Sequence, residues 1–497
     1  MKYVIGIDLG TSSVKTMLVD KLGNVVHEAS ENYPLFHEKS GWCEQRPEDW
    51  VTGTVTSLQK LLSGSKVSAE DIEGISFSGQ MHGLVLLDAN HKVLRNAILW
   101  NDTRTTAQCR SIEEALGTKL LGIAKNAALE GFTLPKLLWV KEFEPEVYAK
   151  AEVFLLPKDY LRYRMTGHIA QEYSDAAGTL LLDMIGKQWS TEICQAVGIE
   201  ERICPPIVES HACVGNVTAE FAAQSGLTVN TKVFAGGADN ACGAIGSGIL
   251  SEGRTLCSVG TSGVILAYEE NKELDVAGKV HFFNHAKQDA FYAMGVTLAA
   301  GYSLQWFHDT FCKELSFPDM LGGLEAAGVG AKGLLFTPYL VGERTPHPDA
   351  DIRGAFIGMD GSHTRDHFAR AVVEGITFSL RESLEILRAA GKTIPSIISI
   401  GGGAKNETWL QIQADVFQVE VVRLESEQGP GMGAAMLAAY GCGWFQSLEA
   451  CADVFLKPAQ TYQPISANVE KYNELYRLYQ QVYHQTKELS QALGSFR

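Results

Sequence analysis

Hydrophobic and polar positions along the chain follow two rhythms, one of period two and one near 3.6. Residues 3–7 and 14–19 cluster β-branched and apolar side chains and predict strands joined by a turn at Gly10-Thr11-Ser12. Lys21-Leu22-Gly23-Asn24 reads as a second turn, and VVHEASENYPL as a third strand. The spacing in RPEDWVTGTVTSLQKLL is helical, with Pro47 near its first turn. DIEGISFSGQMHGLVLLD predicts two strands around Gly79-Gln80-Met81-His82-Gly83, and ILWNDTR another that ends in polar residues. Residues 131–185 mix helical signals with loops. A buried strand is expected over 232–236, then a small-residue helix in ACGAIGSGIL. Strands recur near 255–268 and 291–295, a helix covers LAAGYSLQWFHDTF, and GLLFTPYLVGERTPH ends a strand in a charged loop. A long amphipathic helix spans 364–390, IPSIISIGGGAKNETWLQIQADVF reads as strand, glycine turn and helix, and 468–490 forms a last helix. A strand hairpin followed by alternating helices and strands therefore occurs twice. That predicts an α/β fold with two related lobes, 1–246 and 247–497. No low-complexity linker separates them, so the boundary near residue 246 is expected to be a compact hinge.

Length and composition narrow this picture. At 497 residues the chain exceeds what one core organises, and 45% hydrophobic with 20% charged residues is an ordinary soluble balance. A net charge of −16 disfavours nucleic acid or an anionic membrane as main partner, although backbone donors can still bind an anion locally. Ten cysteines carry no CxxC pair, which favours reduced, mostly buried thiols over a disulfide framework or a zinc site. No signal peptide and no 18-residue apolar run are visible, so a cytoplasmic protein is expected.

The candidate chemistry concentrates in VFAGGADNACGAIGSGILSEGRTLCSVGTSGVI, residues 233–265. Asp239 is a lone acid among small residues, which let backbone approach a bulky anionic ligand and leave one carboxylate projecting. The tripeptide Gly-Thr-Ser occurs at 10–12 and again at 260–262, each time between strand-like runs. Such turns offer N–H and hydroxyl donors to phosphate oxygens. Asp8, two residues before the first turn, suits a site where a metal bridges phosphates. Asp239 suits a base that takes a hydroxyl proton, or, more plainly, a helix cap. Gly401-Gly402-Gly403 closes a strand and opens a helix, which sets donor groups beside a ligand such as a nucleotide. There is no P-loop, protein-kinase, HExxH or GxSxG signature. Gly429-Pro430-Gly431-Met432-Gly433-Ala434 matches a loose dinucleotide pattern, but without its βαβ setting close helix packing is the better reading.

Two longer stretches carry a resemblance. GFTLPKLLWVKE (131–142) and GAFIGMDGSHTRDHFARAVVEG (354–375) are similar to the two signatures of the FGGY carbohydrate kinases, and the likeness runs from Ile5 to about Tyr440. SGQMHGLVLLD, ILWNDTR, LLPKDYLRYRMTG, YSDAAGT and YLVGERTPH resemble the ketopentose branch more than the glycerol branch. The resemblance implies two ribonuclease-H-like, actin-like lobes with a cleft between them. It implies transfer of the γ-phosphoryl of Mg-ATP to the 5-hydroxyl of D-xylulose. Carried over, Asp239 is the general base. Asp8 helps hold metal and phosphates, and both contact magnesium through water. Met81, His82 and Asn240 contact the sugar. Gly10, Thr11, Ser12, Gly260 and Thr261 form the phosphate turns, and Gly301, Gln305, Gly402, Gly403 and Asn406 lie on the nucleotide side. Asp239 then needs no large pKa shift, because it accepts its proton only as the transition state develops. Ala238 replaces a third glycine before Asp239, and Gly431 stands where alanine is frequent; both stay small.

Other residues remain open between roles. Trp100 is equally a floor for the sugar or a core side chain. Glu343-Arg344-Thr345 is read as a structural element of the cleft wall. Tyr472, Tyr476, Tyr479 and Tyr483 share a helix face that packs on a lobe or, in a homodimer, on a second subunit. The competing functions are an FGGY kinase for another ketose or a polyol, and a non-catalytic sugar sensor on the same scaffold.

Overall fold

The strand Tyr3–Leu9 (β1) is apolar enough to be covered on both faces, and that makes it the centre of a sheet. Ile5, Ile7 and Leu9 join a core with Trp50, Leu58 and Leu61 of the helix Pro47–Ser65. Alternation turns Gly6 and Asp8 to the other face, where the helix Gly429–Gly441 lies so close that a Cβ on Gly6 would sit 2.2 Å from the Gly431 carbonyl oxygen. The computed structural model describes residues 1–276, 278–425 and 428–497. Packing divides the chain into two units: Met1–Leu250 with Phe282–Tyr292 and Gln428–Leu456, and Ser251–His281 with Ala293–Glu427 and Lys457–Arg497.

In the first unit β1 pairs antiparallel with Ser13–Asp20 (β2), which pairs antiparallel with Val25–Asn32 (β3). On its other side β1 pairs parallel with Ile72–Gly79 (β4). Cys213–Asn216 (β5) and Lys232–Phe234 (β6) complete the order β5-β6-β4-β1-β2-β3, with β6 parallel to β4 and β5 antiparallel to β6.

The second unit repeats the plan with Arg254–Val259 (β7), Gly263–Glu269 (β8), Phe291–Thr297 (β9, in this unit from Ala293), Ser396–Gly401 (β10), Glu420–Leu424 (β11) and Pro458–Tyr462 (β12). Their order is β9-β8-β7-β10-β11-β12. The β7–β8 hairpin is antiparallel, β10 and β11 add in parallel, and β12 closes the edge antiparallel. The two Gly-Thr-Ser turns occupy the same place in the two sheets. Gly10 N–H donates to the Ser13 carbonyl and Gly260 N–H to the Ser262 carbonyl, each at 3.0 Å.

Some elements differ from the sequence pattern. ILWNDTR contributes only its first residue, Ile98, to the short strand Ala97–Ile98, after which Trp100 emerges 43% exposed and is not a core residue. The helix expected from Leu298 starts at Gly301, because the backbone of Ala300 (φ −85°, ψ −90°) lies outside the helical region. The last helix, Ser466–Leu493, rests Tyr472, Tyr476 and Tyr479 on Phe378 of the helix Arg365–Ala389, within its own unit. Glu343 accepts the N–H groups of Leu298 and Arg344, and Thr345 accepts that of Val296, so this segment braces backbone. All ten cysteines are free thiols, and no helix among the described residues is long and apolar enough to cross a membrane.

Of the glycines from 429 to 433, Gly431 leaves room for the Met17 side chain and Gly433 is the spacer in a helix crossing. Helix Gly429–Gly441 lies against Asp239–Ile245 so tightly that a Cβ on Gly433 would fall 1.9 Å from the Cys242 carbonyl oxygen. Gly433→Ala is therefore expected to lower stability by about 3 kcal/mol. Gly122→Ala, in a helix where the added Cβ meets nothing within 4 Å, is expected to be neutral or stabilising by up to ~1 kcal/mol. Urea denaturation of both variants checks the contrast.

Candidate active site

The register of the first sheet decides where its acids stand. Asp8 pairs with Ser78 on β4, and Ser78 pairs with Gly237 of the short extension Gly237–Ala238. Asp8 and Asp239 thus stand at the carboxyl end of the same sheet, their backbones separated by β4, roughly 10 Å apart at the usual strand spacing. The carboxyl ends of parallel strands are where open α/β sheets bind ligands. Asp239 opens the helix Asp239–Ile245 but does not cap it: its Oδ1 takes the Asn240 N–H at 2.6 Å and the Asn240 side-chain amide at 2.9 Å.

Both acids are only half-buried by area, yet protein surrounds them on most sides. Burial, then the like charge of Asp8, lifts Asp239 to a pKa of about 7, against a smaller opposing pull from the Asn240 N–H. The expectation of little shift is corrected here, and the cause is tertiary: a second carboxylate shares a poorly solvated edge. Burial also raises Asp8, with Ser78 and the Lys15 ammonium pulling back. Lys15 stands opposite Asp8 on β2 and is itself held by Glu28 and Gln428. Among the described residues no group of three or more His, Cys, Asp or Glu is placed to hold a metal ion. Two like-charged carboxylates on one sheet edge would nevertheless fit a magnesium ion held through water, whose charge would relieve their repulsion.

Met81, His82 and Asn240 come together beside Asp239. The Asn240 amide lies 3.5 Å from the Met81 sulfur. His82 adopts a positive φ of 69°, and its Nδ1 lies 2.6 Å from the Gly178 carbonyl oxygen. Its ring packs on Phe132 at 4.7 Å. Trp100 joins the same unit's first turn, donating its indole N–H to the Thr11 hydroxyl at 2.9 Å. That turn is clamped from behind: Tyr33 donates to the Gly10 carbonyl, Gln45 to Thr11 at 2.7 Å, and the Tyr33 N–H to Ser12 at 3.1 Å. The N–H groups of Thr11 and Ser12 take no partner among the described residues and remain available to an anion.

The second unit gathers the nucleotide-side residues. The N–H groups of Gly301 and Tyr302 donate to the carbonyls of Gly260 and Thr261 at 2.8 and 3.1 Å. Gly301 acts as a spacer, since a Cβ there would lie 2.4 Å from the Gly260 oxygen. Gln305, one turn along the same helix, gives its amide to Asp309. Gly401 leaves β10 with φ 80°, which a side chain would strain, and Gly402 is exposed just beyond it while Gly403 packs on Val259. Asn406 is a helix cap, accepting the Trp409 N–H at 2.9 Å.

Two groups near the acceptor cluster escaped the sequence reading. Lys136 is fully buried and donates to the carbonyls of Gly131, Phe132 and His82. Burial pushes its pKa down to about 7, partly offset by Asp102. Its signal was a lysine inside the apolar helical run TLPKLLW. The second is the buried set Lys158, Asp159, Glu172 and Asp175, with Lys158 Nζ 2.8, 3.4 and 3.1 Å from the three carboxylates in that order. Its signal was acids among small residues in QEYSDAAG.

Asp239 titrates near 7 when folded and near 3.8 when exposed, so the native state holds an extra proton between those values. Its contribution to stability therefore falls as pH rises from about 4 to 7, and it is a fixed cost above that. Asp239→Asn is expected to raise the melting temperature at pH 8, by an amount equivalent to at most ~4 kcal/mol. The gain should shrink towards zero near pH 4. Thermal unfolding at pH 8, 6 and 4 measures the trend.

Residues 3–246 match the FGGY family of carbohydrate kinases, N-terminal domain, and residues 255–442 its C-terminal domain. The chain is 64% identical over 497 residues to a xylulose kinase of Bacillus subtilis (strain 168), covering 100% of both chains. Among solved structures it is similar to a ligand-bound xylulose kinase from Lactobacillus acidophilus, with a TM-score of 0.94, 27% identity and full coverage of both chains. A gluconate kinase from the same organism is similar at a TM-score of 0.93 and 27% identity, again over the whole of both chains.

Proposed function

The chain belongs to the FGGY family of carbohydrate kinases, and we propose that it transfers the γ-phosphoryl group of Mg-ATP to the 5-hydroxyl of D-xylulose, giving D-xylulose 5-phosphate and ADP. The observation that carries the reaction type is Asp239, with a pKa near 7, joined to Asn240 and Met81 at the sheet edge that also presents Asp8. A base is most useful when it titrates near the working pH. The choice of D-xylulose rests on the relatives, since neighbours named for xylulose and for gluconate have almost the same backbone.

In this reading Asp239 accepts the hydroxyl proton as the oxygen–phosphorus bond forms and the bond to the β-phosphate oxygen breaks. Asn240 orients that carboxylate, and Met81, His82 and Trp100 line the sugar's place. The free N–H groups of Thr11 and Ser12, and the turn at Gly260 and Thr261, receive phosphate oxygens. Gly402 leaves room for the nucleotide with Gly403 packed behind it, Gly301 and Asn406 hold the backbone around it, and Gln305 offers it a side-chain amide. Asp8 and Asp239 would hold magnesium through water, and the ion would supply neutralising charge to the phosphates. Most of the rate then comes from position and preorganised charge. Ten free thiols and ATP as donor suit action in the cytoplasm.

Asp239→Ala is expected to cut turnover by at least ~10³-fold while D-xylulose still binds, as read by coupled ADP release and calorimetry. Retained turnover contradicts the assignment. Asp8→Ala should raise the magnesium and ATP concentrations needed for half-maximal rate. Turnover against D-xylulose, D-ribulose, L-ribulose, glycerol and gluconate, with a no-sugar control, tests the acceptor. A strong preference for another sugar would keep the base and overturn the roles given to Met81 and His82. No sugar-stimulated turnover would favour a sensor.

A further inference from the structure

A base that must meet one hydroxyl needs a backbone that does not drift, and Asp239 follows the small residues Gly236, Gly237 and Ala238. Gly236 has φ 85°, and a Cβ there would lie 2.5 Å from the Phe77 carbonyl oxygen, so the chain cannot be stiffened by a larger residue. We propose that Glu172 is the positioning residue for the base: through the hydroxyls of Ser174 and Ser210 its buried carboxylate pins the backbone at Gly236 and Ala238. The inference rests on Asp239 being the base.

The bonds have only one sensible direction. An ionised carboxylate accepts and does not donate. Both serine hydroxyls lie 2.8 Å from Glu172 Oε2, so each gives its proton to the acid. The Ser174 lone pair is then turned to the Ala238 N–H, 2.9 Å away. Ser210, fixed by the same carboxylate, accepts the Gly236 N–H on its carbonyl at 2.9 Å. Glu172 also accepts the N–H groups of Ser174 and Asp175 at 2.8 and 2.9 Å, which caps the helical turn Tyr173–Ala177. Lys158 Nζ stands 3.4 Å from the carboxylate and balances its charge. Glu172, Ser174 and Lys158 are fully buried.

The same turn ends at Gly178, whose carbonyl oxygen meets His82 Nδ1 at 2.6 Å. A Cβ on Gly178 would lie 2.8 Å from that nitrogen and 3.1 Å from the Met81 methyl. One end of a five-residue helix therefore fixes the base, and the other fixes the residues given to the sugar. The turn is a gauge that sets the distance between them. Loss of the Ser174 hydroxyl leaves the Ala238 N–H buried without an acceptor and frees Asp239 to shift, while Met81 and His82 keep their places.

Ser174→Ala and Ser210→Ala each remove one arm without touching the buried charges. Steady-state kinetics with D-xylulose and Mg-ATP should show kcat down by about 10- to 100-fold in Ser174→Ala and by less in Ser210→Ala. KM for both substrates should stay within about two-fold, because a displaced base acts on the reacting step and not on binding. Unchanged kcat in both variants overturns the proposal, and so does a KM for D-xylulose that rises as much as kcat falls. Asp239→Asn is measured beside them. If it alone is inactive and both serine variants turn over like the parent, the base stands and the gauge falls. If Asp239→Asn retains turnover, the base assignment fails first and takes the gauge with it.

Discussion

Two carboxylates that repel each other are held at the end of one sheet. Asp8 cannot leave because it is part of the central strand, and Asp239 cannot leave because it begins a helix wedged under another. The wedge is a crossing of glycine-rich backbones, in which Gly246 and Gly433 each leave space for a carbonyl of the opposite helix. Folding energy from the core therefore maintains an arrangement that electrostatics alone would disperse. Burial at this edge, and then the repulsion stored there, raise the proton affinity of Asp239 into the range where it serves as a base.

The two sheets repeat one topology, and the sequence has put different chemistry on each copy. In the first, the carboxyl edge carries Asp8, Asp239 and the Met81-His82 pair. In the second, the corresponding turn at Gly260 is backed by a helix whose first N–H groups are spent on the carbonyls of Gly260 and Thr261. That leaves the turn rigid without placing an acid in it. Each unit is thus specialised by a handful of side chains on a shared frame, which is how one fold serves many acceptors.

Some of this was legible in the residues. The hairpins were, because period-two runs broken by Gly-Thr-Ser allow little else, and Asp239 stood out as the lone acid among small neighbours. The pKa of Asp239 was not, since its burial comes only with folding and Asp8, the second cause, lies 231 positions earlier in the chain and meets it through the register of β4. Trp100 could not be assigned without Thr11, its partner 89 residues away. Asn406, placed by the resemblance on the nucleotide side, showed itself a helix cap only through its bond to the Trp409 N–H. Gly301 was not readable as a spacer until the Gly260 carbonyl was in place above it. Glu172 was hidden most completely. Its importance comes from bonds to Ser174 and Ser210, and Ser210 is 38 residues distant. Local pattern reveals elements and isolated charges; charge coupling and hydrogen-bond relays belong to the folded chain.

The most direct test of the account is the pH dependence of the rate with D-xylulose and Mg-ATP both well below their KM, where it reports the free enzyme. A single acid limb, falling tenfold per pH unit below about pH 7, is the expected result, because Asp239 must lose its proton before it can take another. A rate that stays level down to pH 5 would mean that the base titrates as an ordinary carboxylate, and the paired acids at the sheet edge would not be its source.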